Sequence, residues 1–126
     1  MTIAEALTMV DKFKPNAYDA AVKIGWLSKL DGMIHKEIIL THAHETDAET
    51  FTPYTASTDT TTELIVPYPY DEDVYNYYLQ SMIDRENGET AKYNQSAALY
   101  NSAYTAYLSY YNRTVQPLPA TSYFKF

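Results

Sequence analysis

The segment from residue 89 to residue 111 carries apolar side chains over more than half of a helix surface. On a 100° wheel one stripe holds Tyr93, Ala97, Tyr100, Tyr104, Tyr107, Leu108 and Tyr111, and a second stripe beside it holds Leu99, Ala103, Ala106 and Tyr110. Their combined width is roughly 200°, whereas a surface helix typically needs a stripe a little over about 100°. Such a helix is covered on two sides, either as the centre of a hairpin wrapped by the first helix and a loop, or by a neighbouring subunit.

Four predicted helices favour an all-α fold, an antiparallel helical bundle. The predicted helices span residues 3–13, 17–42, 71–86 and 89–111. Thr2 and Glu5 have the spacing of a capping box at the start of the first helix, and Asp71 is placed to cap the third. The second helix has apolar residues at helical spacing, but Gly25 and the Asp31-Gly32 pair weaken it and predict a bend or a split.

The rest of the chain is predicted to be non-helical. Residues 43–62 are polar and rich in Thr, Asp and Ser, which indicates a long loop of the kind that is usually functional or disordered. The β-like run 63–66 is too short for a sheet of its own, so we expect an edge that pairs with another segment or another chain. Residues 117–126, with two prolines and three aromatic residues, are predicted to form an extended arm beside a helical domain at 1–116.

The composition excludes several classes of function. The chain contains no cysteine, which rules out disulfides, thiolate nucleophiles and cysteine-based metal centres. Its formal charge of −7 gives little attraction for phosphates, so tight nucleic-acid binding over a broad face is not expected. No apolar stretch approaches the roughly 18–20 residues that a membrane span needs, and the acidic Glu5 is unlike the start of a signal peptide. We therefore expect a protein that is made in the cytoplasm and has no membrane partner.

Tyrosine is unusually frequent, with 14 residues beside 4 phenylalanines and 1 tryptophan. The tyrosine ring is apolar while its hydroxyl needs a partner or water, which suits half-buried positions and protein interfaces. A core that uses tyrosine near its edge and an interface built from tyrosine both remain open, and both can hold for different residues.

Few residues are placed for chemistry, and we expect neither enzymatic activity nor a cofactor. The sequence has no glycine-rich phosphate loop and no nucleophile elbow. His42, His44, Glu45 and Asp47 offer ligand types that bind divalent metals, but a His-x-His pair in a polar loop has no fixed geometry, so we expect no metal site. Asp31 lies within an apolar stripe. It is either a buried acid with a raised pKa or a kink whose side chain caps the local backbone, and we expect the second.

Six segments together resemble the small head–tail connector, or adaptor, proteins of tailed bacteriophages and their prophage relatives. They are residues 26–32 (WLSKLDG), 37–39 (EII), 51–54 (FTPY), 63–71 (ELIVPYPYD), 93–101 (YNQSAALYN) and 110–114 (YYNRT). The resemblance spans nearly the whole chain, and none of the segments is a catalytic motif.

The resemblance implies a structural virion protein of the neck, at the capsid–tail junction. Such a protein is a helical subunit that docks as a homo-oligomeric ring below the portal, extends the DNA channel and links capsid to tail. The implied partners are the portal protein, the next neck or tail protein, other copies of the chain, and passing DNA that is bound without sequence specificity. Candidate interface residues, chosen from apolarity and position, are Leu64, Ile65, Val66, Tyr100, Tyr104, Tyr107, Tyr110, Tyr123, Phe124 and Phe126.

Two other functions remain open at this point. The chain could be a different neck component, such as a head-completion or tail-completion protein, which would bind a different neighbour. It could also be a non-viral helical protein-interaction module. Binding to isolated portal separates the connector from both alternatives, because only a connector is expected to bind the portal directly.

Overall fold

A computed structural model describes residues 1–118 and places them in a helical bundle. The α-helices are α1 (Ile3–Phe13), α2 (Ala20–Ile34), α3 (Asp71–Glu86) and α4 (Thr90–Thr114). A π-helix, His35–Ile39, continues α2, and a 3₁₀-helix, Thr46–Glu49, lies in the loop that follows. Extended pairing within residues 1–118 is limited to isolated bridges. The prediction of a mainly α-helical bundle is confirmed.

α3 lies at the centre of the bundle and contacts all three other α-helices. Its residues Val74, Tyr75, Leu79 and Ile83 are fully buried, and burial of apolar side chains of this size is the main term that stabilises the bundle. α4 packs chiefly against α3, so the alternative in which the fourth helix is the wrapped central helix is wrong. No helix within residues 1–118 is long and apolar enough to cross a membrane.

The cap of α1 agrees with the prediction, and the predicted cap of α3 is corrected. The capping box at α1 forms as predicted, with the Glu5 N–H donating to Thr2 Oγ1 at 3.2 Å and the Thr2 N–H donating to Glu5 Oε1 at 2.8 Å. Asp71 is the first residue of α3 and not its N-cap, which is Tyr70. The Asp71 carboxylate instead accepts from the Glu72 N–H at 2.8 Å, a favourable position for an acid at the positive end of a helix. Gly88 adopts φ +72° between α3 and α4.

The predicted second helix differs from the structure at both ends. The α-helix begins at Ala20, passes Gly25 and the Asp31-Gly32 pair without a break, and changes to a π-helix at His35. The glycines do not break it because the apolar face on either side of them is buried in the core and tertiary packing outweighs low helix propensity. The wider turn is closed by the Leu40 N–H, which donates to the His35 carbonyl five residues earlier at 2.9 Å.

The β-like run 63–66 pairs with the first residues of the same chain. Glu63 forms an antiparallel bridge with Thr2, and the Leu64 N–H donates to the Met1 carbonyl at 2.9 Å. The side chains of Leu64 and Val66 are buried in the core, and that of Ile65 is half-buried. The expectation that this run lends a strand to another chain is corrected, because its backbone and two of its side chains are already used within the monomer.

Candidate protein-interaction surfaces

Three polar side chains on one face of α2 and the start of the π-helix hold the long loop, residues 40–70. Ser28, Asp31 and His35, here called the loop anchor, have the i, i+3 and i+7 spacing that places residues on one helix face. Ser28 Oγ accepts a hydrogen bond from the Tyr54 N–H at 2.9 Å. His35 Nε2 donates to the Ala48 carbonyl at 2.7 Å. The loop is therefore fixed to α2 at several points along its length.

The Asp31 carboxylate is fully buried and accepts three hydrogen bonds. The Tyr75 hydroxyl donates to Oδ1 at 2.6 Å, while the Tyr54 hydroxyl and the Ile65 N–H donate to Oδ2 at 2.7 and 3.1 Å. The Tyr75 hydroxyl also accepts from the Val66 N–H at 2.8 Å. This network joins α2, α3 and two separate parts of the loop.

Burial raises the pKa of the Asp31 carboxyl above its ordinary value of 3.8, and its three hydrogen bonds oppose that shift without cancelling it. Burial, together with the neighbouring Asp31, raises the pKa of Tyr75 well above 10.0 and keeps its hydroxyl available as a donor. The expectation that Asp31 caps the local backbone at a kink is wrong, because its carboxylate binds α3 and the loop. Asp31 is instead a buried acid with a raised pKa, which was the other alternative.

Tyrosines of α4 form an aromatic face against α3 and the turn before it. The ring centroids of Tyr70 and Tyr110 are 5.0 Å apart, and those of Tyr100 and Tyr104 are 5.9 Å apart. Tyr107 is only 1 % exposed and belongs to the monomer core, while Tyr100, Tyr104 and Tyr110 are half-buried. Tyr107 is thus unavailable to a partner in this conformation, and an interface role for the other three stays a prediction.

Apolar residues beside the packed faces of α2 and α4 remain uncovered in the monomer. On α4, Leu99 is 48 % exposed and Ala106 is also exposed. On α2, Val22 is 43 % and Met33 is 41 % exposed. Single exposed apolar residues are ordinary. These four are here called the uncovered apolar residues. They matter because they make the apolar sides of α2 and α4 wider than one neighbouring helix can cover.

The histidines after α2 serve a structural role. The ring nitrogens of His42 lie 2.7 Å from the Ile38 carbonyl oxygen and 2.8 Å from Asn112 Oδ1. The ring also packs edge-on against Tyr111, with centroids 4.7 Å apart. His44 Nδ1 donates to the His42 carbonyl at 2.7 Å. These contacts attach the end of the π-helix to the end of α4, and within residues 1–118 no three His, Cys, Asp or Glu side chains are grouped to hold a metal ion.

Residues 37–84, here called the acidic segment, are rich in exposed acidic side chains. This stretch contains ten acidic residues and neither lysine nor arginine. Eight of the ten are exposed: Glu37, Glu45, Asp47, Glu49, Asp59, Glu63, Glu72 and Asp73. A surface of one sign repels phosphates and attracts basic groups.

The described chain ends in an antiparallel pairing with the residues after the π-helix. Pro117 forms a bridge with His42, and the Leu118 N–H donates to the Thr41 carbonyl at 2.9 Å. The first two residues of the predicted arm are therefore attached to the helical domain. The other candidate residues of the arm, Tyr123, Phe124 and Phe126, lie outside the described residues.

A second buried acid was missed by sequence reasoning. Asp84 is fully buried near the end of α3. It pairs with Lys14 Nζ at 2.5 Å and accepts from Ser96 Oγ at 2.8 Å, so it joins α1, α3 and α4. The available signal was its position directly after Ile83, on the side of α3 that carries the core residues.

Comparisons with protein-family models, with curated proteins and with solved structures found no match for this chain.

Proposed function

We propose that this chain is a head–tail connector subunit of a tailed bacteriophage. In this proposal it is a structural protein that packs beside copies of itself in a ring below the portal, extends the DNA channel and presents a platform for the next neck or tail protein. The six segments that resemble connector proteins suggest the function. The uncovered apolar residues on α2 and α4 are the observation that carries the proposal.

Side-by-side packing of identical subunits accounts for these apolar residues. In a closed ring each subunit presents two different faces, one to each neighbour, because the contacts are head-to-tail. α2 and α4 each have one side committed to the core and a further apolar strip left open. A neighbour on α4 would cover Leu99 and Ala106, and the opposite neighbour would cover Val22 and Met33.

The acidic segment fits a protein that lies along a DNA channel. DNA that moves through such a channel must not adhere to the wall, and carboxylates repel the phosphate backbone. Eight exposed acids without a lysine or arginine among residues 37–84 give this property to the acidic segment. We place this segment towards the channel in the proposed ring.

The first experiment is light scattering after size exclusion, on the protein alone and then with the portal of the same phage. A uniform ring, formed alone or only on the portal, is the expected result. A monomer that does not bind portal overturns the connector proposal and leaves a helical interaction module. Binding to another neck protein, with no affinity for portal, identifies a head-completion or tail-completion protein instead.

Two variants make the ring test specific. Leu99→Asp places a charge on the uncovered side of α4 and is expected to abolish ring formation, because an unpaired buried charge at an interface is strongly unfavourable. Thr105→Asp is the matched control, since it adds the same charge at an exposed position on the polar side of the same helix. Both variants should remain folded by circular dichroism. A ring that still forms with Leu99→Asp would show that this side of α4 is not the interface, and equal loss of assembly in both variants would show that the effect is not specific to the uncovered side.

Deletion of residues 119–126 tests the predicted arm. The deletion leaves Pro117 and Leu118 and their pairing with residues 41–43 in place, so we expect the helical domain to keep its fold by circular dichroism. Portal binding should be lost, because the deleted segment carries Tyr123, Phe124 and Phe126. Normal docking of the shortened protein would remove the arm from the proposed interface.

A further inference from the structure

A cleft of about 280 Å³ lies between the π-helix and the long loop. It is lined by His35, Ile39, Ala48, Thr50, Phe51 and Ile65. Ile39, Phe51 and Ile65 are half-buried, so apolar surface remains open on its walls. The centroids of the Phe51 and His35 rings are 5.7 Å apart, which gives the cleft an aromatic side.

The described chain ends in a pairing with residues that closely follow a wall of this cleft in sequence. The Ala43 N–H donates to the Gln116 carbonyl at 2.8 Å, and the Leu118 N–H donates to the Thr41 carbonyl at 2.9 Å. Because this pairing is antiparallel, the chain direction after Leu118 leads back along residues 40 and 39. Ile39, two residues before Thr41, is itself a wall of the cleft.

The chemistry of residues 119–126 complements the cleft. This segment, PATSYFKF, contains three aromatic side chains, and Lys125 is its only charged side chain. The elements that form the walls of the cleft also carry exposed acids, namely Glu37, Asp47 and Glu49, of which Glu49 lies 3.5 Å from His44 Nε2. At about 3.3 Å per residue, eight extended residues reach roughly 26 Å.

We propose that the cleft receives the aromatic C-terminal segment 119–126 of its own chain. The aromatic side chains occupy the apolar walls, and Lys125 faces the exposed acids. The short connection from Leu118 gives the segment a high effective concentration at the cleft, so a modest intrinsic affinity is sufficient for occupancy. This inference does not require the connector proposal. If both hold, the free subunit stores its arm in the cleft and releases it when the arm meets a portal.

The test uses a nitroxide label at Ser122→Cys in the full chain, whose lack of other cysteines makes the labelling unique. Amide signals are measured by nuclear magnetic resonance with the label oxidised and then reduced. We expect the amides of Ala48, Thr50 and Phe51 to disappear when the label is oxidised. The larger groove of about 370 Å³ on the outer side of α1, which includes Thr8 and Lys12, should keep its signals. Loss of signal at α1, or uniformly weak effects, would overturn the proposal.

Two controls decide what holds the segment and which copy it belongs to. The same label in a chain that also carries Phe124→Ser and Phe126→Ser should restore the cleft signals, and signals that stay broadened would show that the aromatic side chains are not the anchor. Mixing labelled, isotope-free chain with unlabelled, isotope-enriched chain should leave the cleft signals intact. Their loss in the mixture would mean that the cleft receives the segment of a second copy, which overturns docking within one chain.

Discussion

Replacing Tyr75 by phenylalanine removes two hydrogen bonds and changes no packing. The lost hydroxyl donates to the buried Asp31 carboxylate and accepts from the Val66 N–H. A hydrogen bond to a charged group contributes about 1.5–3 kcal/mol, and an orphaned buried donor costs about 1–3 kcal/mol. Tyr75→Phe should therefore lower the free energy of unfolding by about 4 kcal/mol.

Tyr54→Phe is the matched control for this prediction. It is the same chemical change on the same carboxylate, but the Tyr54 hydroxyl makes one bond, to Asp31, and its loss leaves no backbone donor unpaired. We expect about 2 kcal/mol. Urea unfolding, followed by circular dichroism with the slope m checked for constancy, measures both values.

Hydrogen exchange should show where the loop opens in the Tyr75→Phe variant. Tyr75→Phe frees the Val66 amide, so hydrogen exchange at residues 64–66 should accelerate more than exchange at residues 46–51. Equal destabilisation by the two variants, or a value below about 1 kcal/mol for Tyr75→Phe, would refute the view that the Asp31 network holds the loop.

Three further predictions test individual contacts. Lys14→Met leaves the fully buried Asp84 without its cation and should destabilise the fold by about 3 kcal/mol, and adding Asp84→Asn should recover part of that loss in thermal unfolding. Because the pKa of Asp31 is raised in the folded state, its stabilisation is complete below pH 3.8 and is lost as pH rises through the folded-state value. Unfolding free energy of the natural chain relative to Asp31→Asn should thus fall with rising pH, and a flat difference would contradict the burial argument. Thr2→Ala removes the side-chain half of the α1 capping box and should cost about 1 kcal/mol in urea unfolding, whereas no change would show that the cap is frayed in solution.

Local signals in the sequence predicted those parts of the fold that depend on neighbouring residues. The capping box of Thr2 and Glu5 located α1, and the acidic first turn of α3 located that helix within one residue of its observed start. Both signals act through backbone groups a few residues away, and these contacts are present whatever the rest of the chain does.

The features of the fold that were predicted wrongly depend on contacts between residues that are distant in sequence. The change from α-helix to π-helix at His35 follows no local propensity, and it occurs where His35 reaches across to Ala48 in the loop. The burial of Asp31 depends on Tyr54 and Tyr75, which lie 23 and 44 residues away in sequence. A helical-wheel argument identified Asp31 as unusual but could not supply its partners.

Some of the predicted interface residues also proved to be buried through contacts with distant residues. Apolarity and position in the sequence placed Val66 and Tyr107 in an interface, yet both are core residues of the monomer. Apolarity cannot separate a buried face from a face reserved for a partner, because both need the same side chains. The excess width of the apolar side of α4 is more informative, since it exceeds what α3 covers and leaves Leu99 open.

The loop anchor explains how a polar loop keeps one conformation. Ordering each backbone residue costs roughly 1–2 kcal/mol, and residues 43–62 bury few apolar side chains in return. Ser28, Asp31 and His35 provide directional bonds at fixed helical spacing, and these bonds set the position of the loop relative to α2. His35 also lines the cleft proposed for the C-terminal segment. If the segment docks as proposed, the shared residue couples it to the anchor, and a change that loosens the loop is expected to weaken retention of the arm as well.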